Sequence, residues 1–159
     1  AGYLFQRDLF KYEFSYDIER PAEFFVRRAL KAFIEEAVLM PHQTLPDTYN
    51  VTSAGFRKLK LFANFLRSFL ESYWIGLSYL LRHPLPPEAD SRDVLKKIEG
   101  WGGRMLKNGE IAHSEALSRI NFRNALTFFQ SRGVVAAPEE AGDGTPYAQA
   151  LQTYLGILQ

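Results

Sequence analysis

The stretch that decides the fold runs from Gly55 to Leu81 and reads GFRKLKLFANFLRSFLESYWIGLSYLL. In its first half, apolar residues recur at i, i+3, i+4 and i+7, which is the spacing of one helix face. In its second half, apolar residues occupy nearly every side. A helix that changes in this way is predicted to begin at the surface and to end inside a core. We therefore predict a central helix over residues 53–82, with six side chains largely buried: Phe62, Phe65, Phe69, Tyr73, Trp74 and Leu77.

The composition describes a chain that can bury a core of its own. Of its 159 residues, 47% are hydrophobic and 14% are aromatic, which suits one domain or two small ones. Its net charge of +1 gives no overall field that would attract nucleic acid or an anionic membrane. The chain has no cysteine, which excludes disulfides and thiolate metal sites and fits a reducing compartment such as the cytoplasm.

The sequence predicts neither secretion nor a membrane span. The N-terminal segment AGYLFQRDLFKYEF lacks the basic start and the small-residue cleavage site of a signal peptide. The central helix contains Lys60, Arg67 and Glu71, whereas a span needs about 20 nearly uncharged residues. Because the chain does not begin with Met, we expect it to be a fragment of a longer protein.

Two shorter helices and a connector are predicted before the central helix. Residues 2–14 fit a short amphipathic helix, although the alternating segment 12–18 also fits an extended strand. Pro21 suits the first turn of the next helix, which is predicted to end at Met40 because Pro41 follows. Residues 41–51 are predicted to be a connector, and Thr52 or Ser53 is expected to cap the central helix.

Prolines at positions 84, 86 and 87 prevent the central helix from continuing and predict a domain boundary. Residues 1–83 are predicted to form a helical bundle around the central helix. Residues 88–159 are predicted to form a winged-helix-like subdomain packed against it. The fold class is therefore mainly α.

The winged-helix prediction rests on the order of elements after residue 88. A helix capped by Ser91 and closed at Asn108-Gly109 is followed by a short helix from Ser114 and a longer one over residues 121–132. Gly100, Gly102 and Gly103 mark close packing or a break in the first of these helices. Gly133 is the expected C′ glycine, residues 134–137 are a strand candidate, and residues 147–151 fit either a last helix or a returning strand.

The histidines give no catalytic, cofactor or metal site by sequence. His42 and Asp47 have the His-x4-Asp spacing of glycerolipid acyltransferases, in which the histidine acts as a general base. Here the pair lies in a proline-bracketed loop with no phosphate-binding motif after it, and we interpret the spacing as coincidence. His83 is expected to be a helix cap and His113 a surface residue.

Charge also limits the partners that the chain can take. Residues 90–159 contain eight Lys and Arg and eight Asp and Glu, and the candidate wing is acidic, so DNA binding is not favoured. Two runs are basic and are expected either to be solvated or to face anionic lipid headgroups: Arg27, Arg28 and Lys31, and Arg57, Lys58 and Lys60.

Several short motifs resemble the C-terminal region of bacterial glycerol-3-phosphate acyltransferases. They are Lys11-Tyr12-Glu13-Phe14, Phe69-Leu70-Glu71-Ser72-Tyr73-Trp74, Gly109-Glu110-Ile111, Glu115-Ala116-Leu117-Ser118, Asn121-Phe122 and Asn124-Ala125-Leu126. The resemblance implies a helical domain that follows the catalytic domain of a phospholipid-synthesis enzyme. It implies no functional residue in this chain, because the catalytic signatures of the family are not present.

The resemblance leads to two hypotheses of different classes. The first is a non-catalytic domain, inactive alone, that packs on the catalytic domain of the same polypeptide and touches a membrane surface. Its location would be cytoplasmic, or peripheral on the inner face of the cell membrane. The alternative is a winged-helix module that binds protein or DNA.

Overall fold

The computed structural model describes residues 2–17, 19–83, 85, 90–134 and 145–157. Within these ranges lie six helices and one two-stranded antiparallel sheet. In chain order they are α1 (Gly2–Leu9), α2 (Ala22–Glu35), β1 (Leu39–Pro41), β2 (Tyr49–Val51), α3 (Ser53–Arg82), α4 (Ser91–Lys107), a 3-10 turn (Ser114–Ala116), α5 (Arg119–Ser131) and α6 (Thr145–Ile157). The chain is mainly α, as predicted, and α3 has the predicted bounds of the central helix.

The chain divides into two units, residues 1–64 and residues 65–159, and the division falls within α3. We call them unit 1 and unit 2. The boundary predicted at residues 84–87 lies mostly outside the described residues and stays a prediction.

In unit 1, α2 is shorter than predicted because the chain turns before it reaches Pro41. The helix ends at Glu35, and Ala37 has a φ of +53°, a left-handed conformation that ends a helix. Buried Val38 follows, and β1 then pairs with β2 from Leu39↔Val51 to Pro41↔Tyr49. The predicted connector therefore contains a hairpin, whose three-residue strands are too short to show a period of two.

Thr52 caps α3, as predicted, and also ties the start of α3 to the end of α2. Its Oγ1 accepts the N–H of Gly55 at 2.9 Å and donates to the carbonyl oxygen of Ala37 at 2.7 Å. A Cβ at Gly55 would overlap the backbone carbonyl of Val38. Glycine is therefore required where α3 passes the turn after α2.

In unit 2, burial along α3 follows the predicted change from one-sided to all-sided. Every residue from Leu70 to Leu80 is buried except Trp74, which is half-buried. The prediction is wrong for two earlier aromatic side chains: Phe62, which belongs to unit 1, is 45% exposed, and Phe65 is 57% exposed. Phe69 is half-buried. The period of a helix identifies its apolar face but not whether another element covers that face.

An aromatic group forms the centre of the unit 2 core. The Tyr73 ring lies 6.2 Å from Phe128 and 6.1 Å from Phe129, edge to face. Tyr147 of α6 lies 5.5 Å from Phe128 and 6.0 Å from Phe129. Because residues 145–157 are helical, the last segment is the predicted helix and not the returning strand.

The winged-helix-like arrangement is not confirmed. In residues 90–134 and 145–157 the structure has helices and turns but no strand, and Val134 lies in a turn. Residues 135–137, the rest of the predicted strand, lie outside the described residues. The caps are nearly those predicted: Asp90, not Ser91, accepts the N–H of Arg92 at 2.8 Å, and Gly133 has a φ of +71° after α5.

The glycines of α4 mark close packing and not a break, because the helix is continuous from Ser91 to Lys107. A Cβ at Gly102 would lie 2.7 Å from Leu117 Cδ2 and 3.1 Å from Ile75 Cγ2. A Cβ at Gly100 would meet nothing within 4 Å.

This difference predicts opposite effects of one substitution at two sites in the same helix. Gly102→Ala should lower the free energy of unfolding by about 1–3 kcal/mol, the usual cost of overpacking. Gly100→Ala should raise it by up to about 1 kcal/mol, because alanine favours a helix more than glycine does. Urea denaturation followed by circular dichroism measures both; equal effects would contradict the close approach at Gly102.

Candidate functional site

The histidine–aspartate pair singled out by sequence lies in the hairpin of unit 1. His42 Nδ1 accepts the backbone N–H groups of Thr44 and Leu45, both at 3.2 Å. Asp47 is exposed and has a φ of +53°. In the described part of the chain, no hydrogen bond joins His42 to Asp47. The ring of His42 therefore holds a turn, and the absence of a catalytic role stays a prediction.

Glu71 is the centre of a polar network in unit 2 that we call the Glu71 network. The side chain is 1% exposed. Its Oε1 accepts from Arg67 Nε and from the Ala112 N–H, each at 3.0 Å. Its Oε2 accepts the His113 N–H at 3.0 Å and lies 3.2 Å from His113 Nδ1. Burial of a carboxylate is costly without such partners, and here each oxygen has two.

Ser72, the next residue of α3, extends the Glu71 network to α5. Its Oγ is buried, donates to the carbonyl oxygen of Ala116 at 2.7 Å and accepts from Asn121 Nδ2 at 3.3 Å. The segment between α4 and α5 is thus held to α3 at residues 112, 113 and 116. Its buried Ile111 and Ala116 are fixed in the core by the same bonds.

The expectation that His113 is a surface residue is wrong. Its side chain is 25% exposed and contacts Glu71, which is 42 residues away in the chain. The residue that organises the network, Glu71, was not identified from sequence as a site. The available signal was one acidic residue in a helix half that is otherwise almost entirely apolar.

The pairing of Glu71 with His113 resembles the carboxylate–histidine arrangement that orients a general base. Within the described ranges, His113 Nε2 has no hydrogen-bond partner, and no serine hydroxyl stands within reach of it. Ser72 Oγ is occupied by Ala116 and Asn121, and Ser114 Oγ lies 3.3 Å from Glu115 Oε2. The network therefore holds the segment between α4 and α5 to α3.

The start of α3, in unit 1, carries exposed apolar side chains. Three apolar side chains are open to solvent: Phe56 is 62% exposed, Leu61 is 68% exposed and Phe62 is 45% exposed. Residues 53–64 also contain Arg57, Lys58 and Lys60 but no Asp or Glu. Lys58 is paired with Glu36. We call the three apolar residues the α3 apolar surface.

The described residues give little evidence of a metal site, a ligand cleft or a membrane span. No three His, Asp or Glu side chains among them converge as metal ligands. An open cleft of about 750 Å³ in unit 1 has walls of mixed charge, since Arg27 and Lys31 face Glu35 and Asp47. Within the described ranges, the helices are too short or too polar to cross a membrane.

Comparison with known proteins gives one finding. A family model described as the glycerol-3-phosphate acyltransferase C-terminal region matches residues 1–137. Neither the curated proteins nor the solved structures contain a match. The matched range includes every residue of the Glu71 network.

Loss of the buried carboxylate should strongly destabilise unit 2. Glu71→Ala removes the acceptor of two backbone N–H groups and of Arg67 Nε and should lower the free energy of unfolding by about 3–5 kcal/mol. Glu71→Gln should cost less, because the amide keeps one acceptor oxygen. Glu115→Ala, an exposed carboxylate in the same segment, is the control and should change stability by less than about 0.5 kcal/mol. Thermal or urea unfolding measures all three, and similar losses for Glu71→Ala and Glu115→Ala would contradict the role of the network.

Proposed function

The chain belongs to the family of the glycerol-3-phosphate acyltransferase C-terminal region, and on this premise we propose that it is a non-catalytic helical domain of such an enzyme. In this proposal it follows the catalytic domain and packs against it. Its contribution to phospholipid synthesis is then structural. The observation that carries the proposal is the family match over residues 1–137.

The chemistry of the described residues supports a non-catalytic role. His42 is used by the backbone of its own turn, and His113 is joined to a carboxylate whose acceptor positions are filled. A general base needs a free acceptor nitrogen beside a hydroxyl that it can deprotonate. Neither histidine has such a hydroxyl within hydrogen-bond distance in the described part of the chain, apart from Thr44 Oγ1 at 3.4 Å from His42 Nδ1.

The α3 apolar surface supports packing against another domain. Three apolar side chains are exposed within seven residues at the start of α3, and exposed apolar area on a folded protein often marks a surface that a partner covers. Phe56 and Leu61 have about two thirds of their area open, so a partner would bury most of it. A domain of the same polypeptide is the partner that the family implies.

A membrane surface is the other partner that we propose for this region. Arg57 and Lys60 are exposed beside Phe56 and Leu61, and residues 53–64 carry no acidic side chain that would repel anionic headgroups. A peripheral location on the cytoplasmic face of the cell membrane would follow. Interfacial binding needs basic and apolar area together, and both are present here.

The winged-helix alternative for DNA is less well supported. In α5, the helix that would contact DNA in a winged-helix module, Arg119 is paired with Glu99 at 2.7 Å, and the Arg132 guanidinium at the end of the helix lies over the Phe128 ring. Duplex DNA carries about one negative charge per 1.7 Å of its length. Residues 90–159 have no net charge, so their electrostatic attraction to DNA is weak. We propose that the chain does not bind nucleic acid.

The isolated chain should not transfer acyl groups. We expect no release of free thiol from an acyl thioester in the presence of glycerol 3-phosphate, because no described histidine is placed as a base beside an acceptor site. The full-length enzyme is the positive control. Thiol release that disappears in His42→Ala would show that the pair in the hairpin is catalytic after all.

Binding to the catalytic domain should depend on the α3 apolar surface. Phe56→Ser and Leu61→Ser should each weaken binding of this chain to the separately expressed catalytic domain by about tenfold, as for side chains buried at the centre of an interface. Both side chains are largely exposed, so the variants should fold normally. Isothermal titration calorimetry measures the dissociation constant.

The matched control is Ile120→Ser, which removes an equally exposed apolar side chain, 66% open, from α5. Loss of affinity in Ile120→Ser equal to that in Phe56→Ser would exclude a specific role for the α3 apolar surface. Binding of the chain to vesicles but not to the catalytic domain would identify the membrane as the partner of this surface.

A further inference from the structure

Trp101 is the centre of a group of cationic side chains on unit 2 that we call the Trp101 cluster. The indole N–H donates to Ser78 Oγ at 3.0 Å, and Ser78 is buried in α3. The guanidinium carbons of Arg82 and Arg104 each lie 5.1 Å from the centroid of the Trp101 ring. The His83 ring lies 5.8 Å from it, nearly perpendicular. The ring is therefore held by α3 and α4 while three exposed cationic or titratable groups surround it.

The positive charge of the Trp101 cluster has no salt-bridge partner among the described residues. In residues 90–134 and the other described ranges, neither Arg82 nor Arg104 forms an ion pair. Of the carboxylates at α4, Glu99 pairs with Arg119 at 2.7 Å, and Asp90 caps the helix. Within the described part of the chain, two guanidinium groups at one ring thus remain without an anion.

Helix dipoles explain part of this arrangement but not all of it. Arg82 ends α3 and Arg104 lies in the last turn of α4, where a cation gains about 0.3–1 kcal/mol from the helix dipole. Each arginine gains this stabilisation at its own helix end. The helix dipoles therefore do not explain why both guanidinium groups lie against one tryptophan. The attraction between a guanidinium and a ring acts through charge, so it uses none of the five N–H donors of the arginine.

We propose that the Trp101 cluster binds a phosphate group. Both guanidinium carbons lie 5.1 Å from the same centroid, so the two groups border one ring. A phosphate presents several oxygens that accept from two guanidinium groups at once, whereas a carboxylate matches one. The phosphate belongs either to a soluble monoester or to a lipid headgroup, which share this chemistry. The cluster belongs to unit 2, whereas the α3 apolar surface belongs to unit 1, and the proposal does not depend on packing against a catalytic domain.

Tryptophan fluorescence can report binding directly. The chain has two tryptophans, so Trp74→Phe leaves Trp101 as the single indole. We expect its emission to change and saturate on titration with inorganic phosphate or glycerol 3-phosphate at constant ionic strength. Arg82→Gln and Arg104→Gln should each weaken binding by about tenfold or more, since hydrogen bonds to a charged group contribute that much. Arg123→Gln, an exposed arginine of α5, removes the same charge and should leave affinity unchanged.

Vesicles distinguish the two sources of the phosphate. The lipid headgroup would be identified if the chain sediments with phosphatidylcholine vesicles that contain phosphatidic acid but not with vesicles of phosphatidylcholine alone. This sedimentation should be lost in Arg82→Gln and in Arg104→Gln. Saturation by soluble phosphate without such sedimentation would identify the soluble monoester. The proposal is overturned if neither arm shows saturable binding, or if Arg123→Gln loses as much affinity as the cluster variants. Circular dichroism melts check that all variants are folded.

Discussion

The buried carboxylate of Glu71 sets a condition that the rest of unit 2 must meet. A carboxylate removed from water is destabilising by several kcal/mol unless donors replace its hydration. Here two of those donors are the backbone N–H groups of Ala112 and His113, which belong to the segment between α4 and α5. Burial of Glu71 in α3 therefore depends on a segment that presents the N–H groups of residues 112 and 113 to α3. Ser72 holds the same segment a few residues further on, at Ala116.

The same helix has two kinds of surface. From Leu70 to Leu80, α3 is surrounded by α4, α5 and the segment between them, as the bonds of Glu71, Ser72 and Ser78 show. In unit 1, the same helix leaves Phe56 and Leu61 open. An aromatic side chain in water forgoes roughly 1.5–3 kcal/mol of burial free energy. Exposed side chains of this size are retained more easily if a partner covers them.

Local signals in the sequence were sufficient to predict the bounds of α3 but not the elements that surround it. Thr52 as the cap and the prolines after His83 fix both ends of α3, and both signals act within a few residues. The hairpin over residues 39–51 was not predicted, because the turn before it uses a left-handed conformation at Ala37, which is not a glycine. No residue type in the sequence indicates that turn. Phe62 and His113 were placed wrongly for a different reason: the burial of each depends on residues distant in the chain. The order of helices after residue 90 was predicted correctly, but order alone does not specify a winged helix.

The residues that carry the family resemblance are largely those that hold unit 2 together. Glu71, Ser72 and Asn121 form one network, and Ala116 and Phe122 are fully buried beside it. A search for catalysis would select Glu71 and His113, since a buried carboxylate beside a histidine is how many enzymes orient a base. The contacts of the carboxylate show what it does in the fold. Glu71 is shared among Arg67, two backbone N–H groups and the imidazole. Two of its four contacts fix the backbone of the segment between α4 and α5, so the carboxylate that contacts the imidazole also holds this segment to α3.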